Sequence, residues 1–194
     1  GILDHSVRLS QDLSVAVFDV GQASCSAILD EGCWPRVYYD LGWPANFNGK
    51  SRPPFKPSIF DYDEPAPVII SHWDMDHWAF AIQETKYDRG ELAMRPVWKP
   101  EALHRVWVAP NPTKTGQPVG PFLLSLLAAL EYERLMPGIN ALQLLPDDLT
   151  HLDLTWGRLE VCDPPPGVQR TRNNTGLALW IYGADNQMML LTGD

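Results

Sequence analysis

The run "PVIISH" (67–72) is apolar until it ends in His72, and the next five residues, "WDMDH", add Asp74, Asp76 and His77. An apolar run of that length reads as a strand buried on both faces. Its end therefore delivers two imidazoles and two carboxylates from a core, in a chain with only five histidines. An apolar interior does not tolerate such a cluster unpaired. Imidazole and carboxylate are the ligands of Zn²⁺, Mn²⁺ and iron, so four of them in six residues suit one half of a dinuclear metal site. An EF-hand loop is disfavoured, because it uses oxygen ligands and a Gly at its sixth position, where His77 stands. The plainer alternative is a helix start, with Asp74 as cap and Asp76 favoured by the dipole, but it gives neither histidine a role.

Around this cluster the pattern is that of a layered α/β domain. "SVAVFDVGQASCSAILDEGCWPRVYYDLG" (14–42) reads as three short strands with turns at Gly21-Gln22 and Asp30-Glu31-Gly32. The spacing of Trp78, Ala79 and Ile82 predicts a helix over 76–88, stopped by Arg89-Gly90. "HRVWVAP" (104–110) is a further strand, and "GPFLLSLLAALEYERLMPG" (120–138) carries the strongest helix signal. Two hairpins follow, turning at Trp156-Gly157 and at Gly183–Asn186. Residues 14–42 and 67–72 are expected in one sheet and 152–194 in another, with helices 76–88 and about 120–136 outside. The Pro-rich stretch 43–67 reads either as a binding flap or as a surface excursion.

The formal charge of −9 argues against a broad electrostatic footprint for duplex DNA or anionic lipid. Two bound divalent ions would bring the local balance about four units toward neutral, which weakens that objection. The longest apolar run, "PFLLSLLAAL" (121–130), is too short to span a bilayer, and a cytoplasmic protein is expected. Cys25, Cys33 and Cys162 lack zinc-knuckle spacing and read as reduced thiols; Cys25 and Cys33 flank a turn and could pair if oxidised, but read as buried strand thiols. Trp78 reads as core packing, whereas Trp73 fits either the core or a stacking platform beside the cluster.

"SHWDMDH" resembles the metal motif of the metallo-β-lactamase fold, with Asp74 where a second His usually stands. That variant is similar to the branch found in bacterial competence proteins of the DNA-uptake channel. "VFDVGQASCSAI" (17–28), "YYDLG" (38–42), "NNTGLALWI" (173–181) and "LLTGD" (190–194) are similar, in order, to further segments of that branch. The resemblance implies an αββα sandwich in which residues 1–194 are the N-terminal portion of one domain, incomplete at its C-terminus. It implies that His72 and Asp74 hold one divalent ion and Asp76 and His77 another, Zn or Mn, with Asp194 bridging. Asp40 would orient a ligand or, on a plainer reading, cap backbone amides at a strand end; Asp19 reads as structural. Asn173-Asn174 stand where many members have another His, while His104 and His151 read as surface or strand-end residues.

Metal-assisted hydrolysis follows from the residue types; a phosphodiester or nucleic-acid substrate follows only from the resemblance. Asp76 would be the catalytic residue among the ligands. The competing expectation is a non-catalytic scaffold subunit of a multiprotein assembly. Met189, Leu190 and Leu191 are expected to pack against a C-terminal remainder or partner subunit that completes the fold.

Overall fold

A computed structural model describes residues 1–7, 13–44, 53–60 and 65–193. The chain is mixed α/β, with many strands and few helices. Helix α1 (Ile2–Ser6) precedes β1 (Ser14–Val17), β2 (Cys25–Leu29), β3 (Pro35–Leu41) and β4 (Val68–Ile69). Two 3₁₀ turns, Met75–His77 and Ala79–Ala81, lead into β5 (Ile82–Asp88), β6 (Ala93–Trp98), α2 (Pro100–Leu103) and β7 (Trp107–Ala109). Helix α3 (Pro121–Tyr132) is followed by β8 (Arg134–Met136), β9 (Ile139–Asn140) and β10 (Leu142–Leu144). Strands β11 (His151–Leu154), β12 (Gly157–Val161), β13 (Leu177–Tyr182) and β14 (Met188–Leu191) end the described chain.

Six strands form one sheet in the order β1-β2-β3-β4-β7-β10, antiparallel as far as β3 and parallel beyond it. Strands β11 to β14 form an antiparallel meander. Ile28, Tyr39, Ile69 and Val108 of the first sheet pack with Leu154, Leu159, Leu179 and Ile181 of the second. The opposite face of the first sheet, with Ala27, Tyr38, Val68 and Ile70, packs with Leu123, Leu126 and Leu130 of α3. Strand β4 therefore faces apolar side chains on both sides, which is why its sequence is an unbroken apolar run. The layers are helix, sheet and sheet; a helix against the outer face of the meander is not among the described residues.

Residues 14–42 and the start of 67–72 do share a sheet, and both expected C-terminal hairpins form. Residues 76–88 are not a helix. The two 3₁₀ turns and β5 replace it, and β5 pairs with β6 from Ile82↔Trp98 to Asp88↔Ala93. Trp78 and Ile82 satisfy helical spacing, yet Thr85 and Tyr87 suit a strand, and a partner strand decides the matter. Asp88 closes the hairpin, its Oδ1 accepting from the amides of Gly90 and Glu91 at 2.8 and 3.3 Å. Helix α3 stops at Tyr132 rather than near 136, because Arg134–Met136 pairs with β9. Of the cysteines only Cys25 is buried; Cys33 and Cys162 are exposed. Burial pushes the Cys25 thiol up, which leaves it a packing group.

No helix among the described residues is long and apolar enough to cross a membrane. Leu179 is fully buried between the two sheets. Leu179→Ala is expected to lower the unfolding free energy by about 2–5 kcal/mol, read by chemical denaturation.

Candidate metal site

The geometry starts from a bulge in β3. Opposite β2 the register runs Cys25↔Leu41 and then Ser26↔Tyr39, so Asp40 is an extra residue. Tyr39 and Leu41, two apart, consequently face opposite cores. Asp40 takes φ +59°, a conformation that Asp tolerates better than most residues. A bulge re-aims a side chain in this way. Here the chain folds the Asp40 carboxylate into the interior, where it is 0% exposed.

That carboxylate meets the end of β4. The Ser71 amide donates to Asp40 Oδ1 at 2.7 Å, and Ser71 Oγ donates to Oδ2 at 2.8 Å. His77 Nδ1 lies 2.8 Å from the same Oδ2. Ser71 Oγ is also 3.1 Å from His72 Nδ1 and 3.2 Å from His77 Nδ1. A hydroxyl has one proton, and here Asp40 takes it, so Ser71 Oγ accepts from His72 Nδ1–H. His77 Nδ1–H donates to Asp40. These contacts are satisfied when both imidazoles carry their proton on Nδ1.

The two rings are 3.9 Å apart between centroids, tilted by 50°. His72 Nε2 is 3.7 Å from Asp74 Oδ2, and His77 Nε2 is 4.0 Å from Asp76 Oδ1. Donors about 2.1 Å from a common ion are about 3.4–4 Å from each other, so either pair could share one. The imidazoles are buried, whereas the carboxylates of Asp74 and Asp76 are 34% and 41% exposed. Among the described residues no three His, Cys, Asp or Glu side chains close on one point. The arrangement is two His–carboxylate pairs. Asp194, expected to bridge them, lies outside the described residues.

Tight backbone packing holds the cluster. A Cβ on Gly42 would fall 2.0 Å from the Asp76 carbonyl oxygen, and one on Gly193 would fall 2.5 Å from Ser71 Oγ and 2.9 Å from His72 Nδ1. Only glycine permits either approach. The segment that includes Gly193 thus lies against His72, and β13 is tied in by the Leu177 amide donating to the Ser71 carbonyl at 2.8 Å.

Asp40 both orients a histidine and caps an amide, so the two sequence readings of it describe one network. Asp19 is structural, its Oδ1 accepting from the Gly21 amide at 3.2 Å. Trp73 and Trp78 are both buried and are not stacking platforms. Trp73 Nε1 donates to the Pro110 carbonyl at 2.7 Å, and Trp78 Nε1 to the Trp73 carbonyl at 3.1 Å. His104 and His151 lie at the surface beside Glu133 and Asp153. Asn174 holds its own loop, its Oδ1 accepting from the Thr171 amide at 2.7 Å and its Nδ2 donating to the Gln169 carbonyl at 3.0 Å.

Sequence reading missed Ser71 and Arg172. Ser71 was visible as a hydroxyl directly before the first histidine. Arg172 Nη1 donates to Asp74 Oδ1 at 3.2 Å across 98 residues, which no local signal announces. Its Nη2 donates to the Pro118 carbonyl at 2.5 Å, while its Nε is buried without a hydrogen-bond partner.

Comparisons with protein-family models, curated proteins and solved structures found no match to this chain.

Asp40→Asn keeps the shape but removes an acceptor from a buried set of three donors. It is expected to lower the unfolding free energy by about 1–3 kcal/mol, measured by urea denaturation.

Proposed function

We propose that the chain is a metal-dependent hydrolase of the metallo-β-lactamase superfamily, with a phosphodiester as substrate. One observation carries the reading: Asp40 and Ser71 hold both imidazoles by Nδ1, and each Nε2 lies 3.7 or 4.0 Å from a carboxylate oxygen. That donor set suits Zn²⁺ or Mn²⁺ in kind. His72 and Asp74 would hold one ion and Asp76 and His77 the other, with Asp194 as the bridging donor. When bound, such a cation makes water nucleophilic at neutral pH and offsets charge on a phosphoryl group.

The chain's own residues have separate tasks. Asp40 fixes the proton on His77 Nδ1 and, through Ser71, the one on His72 Nδ1. Asp74 and Asp76 supply the negative charge that draws a cation to the strand end. Asp76 is the more exposed of the two carboxylates and would act as an ion ligand on the solvent side of the pair. A pocket of about 450 Å³ is lined by Met75, Trp43 and Phe122, and none of His72, Asp74, Asp76 and His77 lines it. Of the three residues expected to face a partner, Met189 and Leu190 on β14 are exposed and support one there, whereas Leu191 packs against the core between the two sheets.

The Arg172–Asp74 pair favours a second reading, a non-catalytic scaffold. A guanidinium on Asp74 already offsets part of the charge that a cation would meet.

Metal content decides between them. Equilibrium dialysis against Mn²⁺ or Zn²⁺ should load at least one ion per chain, and the loaded protein should cleave an aryl phosphodiester. His72→Ala and Asp76→Ala each remove a proposed ligand and should retain the fold by circular dichroism while losing the bound metal. A folded protein that takes up less than one ion per chain supports the scaffold.

A further inference from the structure

Phe80 follows the histidine cluster by three residues and is buried. Two cations converge on its ring: Lys99 Nζ lies 3.3 Å from the centroid and Lys56 Nζ 4.7 Å. Lys56 is also 5.2 Å from the Trp43 ring. Lys99 is 5.6 Å from the Phe60 ring, which carries the Arg105 guanidinium at 4.2 Å. Such clustering runs against a composition with 24 acids and 15 Lys and Arg. Both lysines line a pocket of about 640 Å³, together with Ser58, Phe60, Gln83 and Glu101.

We propose that this pocket binds a phosphoryl group, held by the side-chain nitrogens of Lys56 and Lys99. Cation–π contact and a hydrogen bond between the two lysine side chains hold both nitrogens beside the Phe80 ring. A dianion bound against the pair is attracted by both. A tetrahedral phosphoryl group can offer a different oxygen to each ammonium, and lysine binds phosphate as a point charge. A single carboxylate brings one charge and matches the pair less well. The pocket is large enough for a small organic phosphate, with Ser58 and Gln83 as further polar groups and Phe60 as an apolar wall. Glu101 opposes an anion and sets the limit on affinity.

The site is sensitive to pH. Burial first, and then Lys56, bring the Lys99 ammonium down to about 7; Glu101 and Cys25 pull weakly the other way. A bound anion favours charged Lys99, so affinity is greatest below that value and falls as pH rises through it. Binding takes up protons near neutrality.

The test uses the full chain with a chelator present, so that its result is independent of the metal reading. Calorimetric titration with inorganic phosphate, and with sulfate as a dianion whose charge is constant over this range, is compared with chloride at equal ionic strength. Saturable binding of both tetrahedral anions is expected, weakened about tenfold or more by Lys99→Met and by Lys56→Met. Glu101→Gln should tighten it, and this variant carries the test if a lysine variant fails to fold. Sulfate affinity should fall several-fold from about pH 6 to about pH 8.5. No saturable binding beyond that of chloride, unchanged binding in both lysine variants, weaker binding in Glu101→Gln, or a sulfate affinity that rises with pH would each overturn the proposal.

Discussion

A buried carboxylate with three donors around it holds the candidate site together. Asp40 has no solvent to replace a missing partner, and leaving such a charge unpaired costs several kcal/mol. The Ser71 amide, the Ser71 hydroxyl and His77 Nδ1 satisfy it. The bulge and the positive φ at Asp40 persist because these contacts over-determine them. Strands β3 and β4 are thereby joined end to end as well as side by side, and the two histidines inherit fixed tautomers from a residue more than thirty positions earlier in the chain.

The same network explains how a polar cluster is tolerated at the edge of two apolar cores. Tyr39, one residue before the bulge, sends its hydroxyl across to the Leu177 carbonyl at 2.5 Å, and Leu177 returns an amide to Ser71. The first sheet is therefore tied to the meander beside the histidines. Gly42 and Gly193 let backbone approach where no side chain would fit. Parallel strands β3 and β4 both point their carboxyl ends at this crevice, the place where α/β sheets commonly leave space for a ligand.

Much of this was legible in the sequence. The strands of 14–42, both C-terminal hairpins and the helix beginning at Pro121 followed from alternation, turn residues and a Leu-rich run. The pairing of acids with histidines was visible because four such residues stood within six positions. Residues 76–88 were misread because Trp78 and Ile82 fit two periods, and only pairing with β6 selects the strand. The helix that ended early, the link from Arg172 to Asp74, and the meeting of Lys56 with Lys99 all depend on contacts between distant segments. Local propensity does not encode them.

The most direct test of the account is the proton position on His72 and His77. Two-bond nitrogen–proton correlation spectra of the protein at neutral pH distinguish the tautomers of each ring. The account predicts that both carry the proton on Nδ1, with an unprotonated Nε2 resonance that moves when Zn²⁺ is added. A proton on Nε2 of either ring, or Nε2 resonances indifferent to the metal, would contradict it.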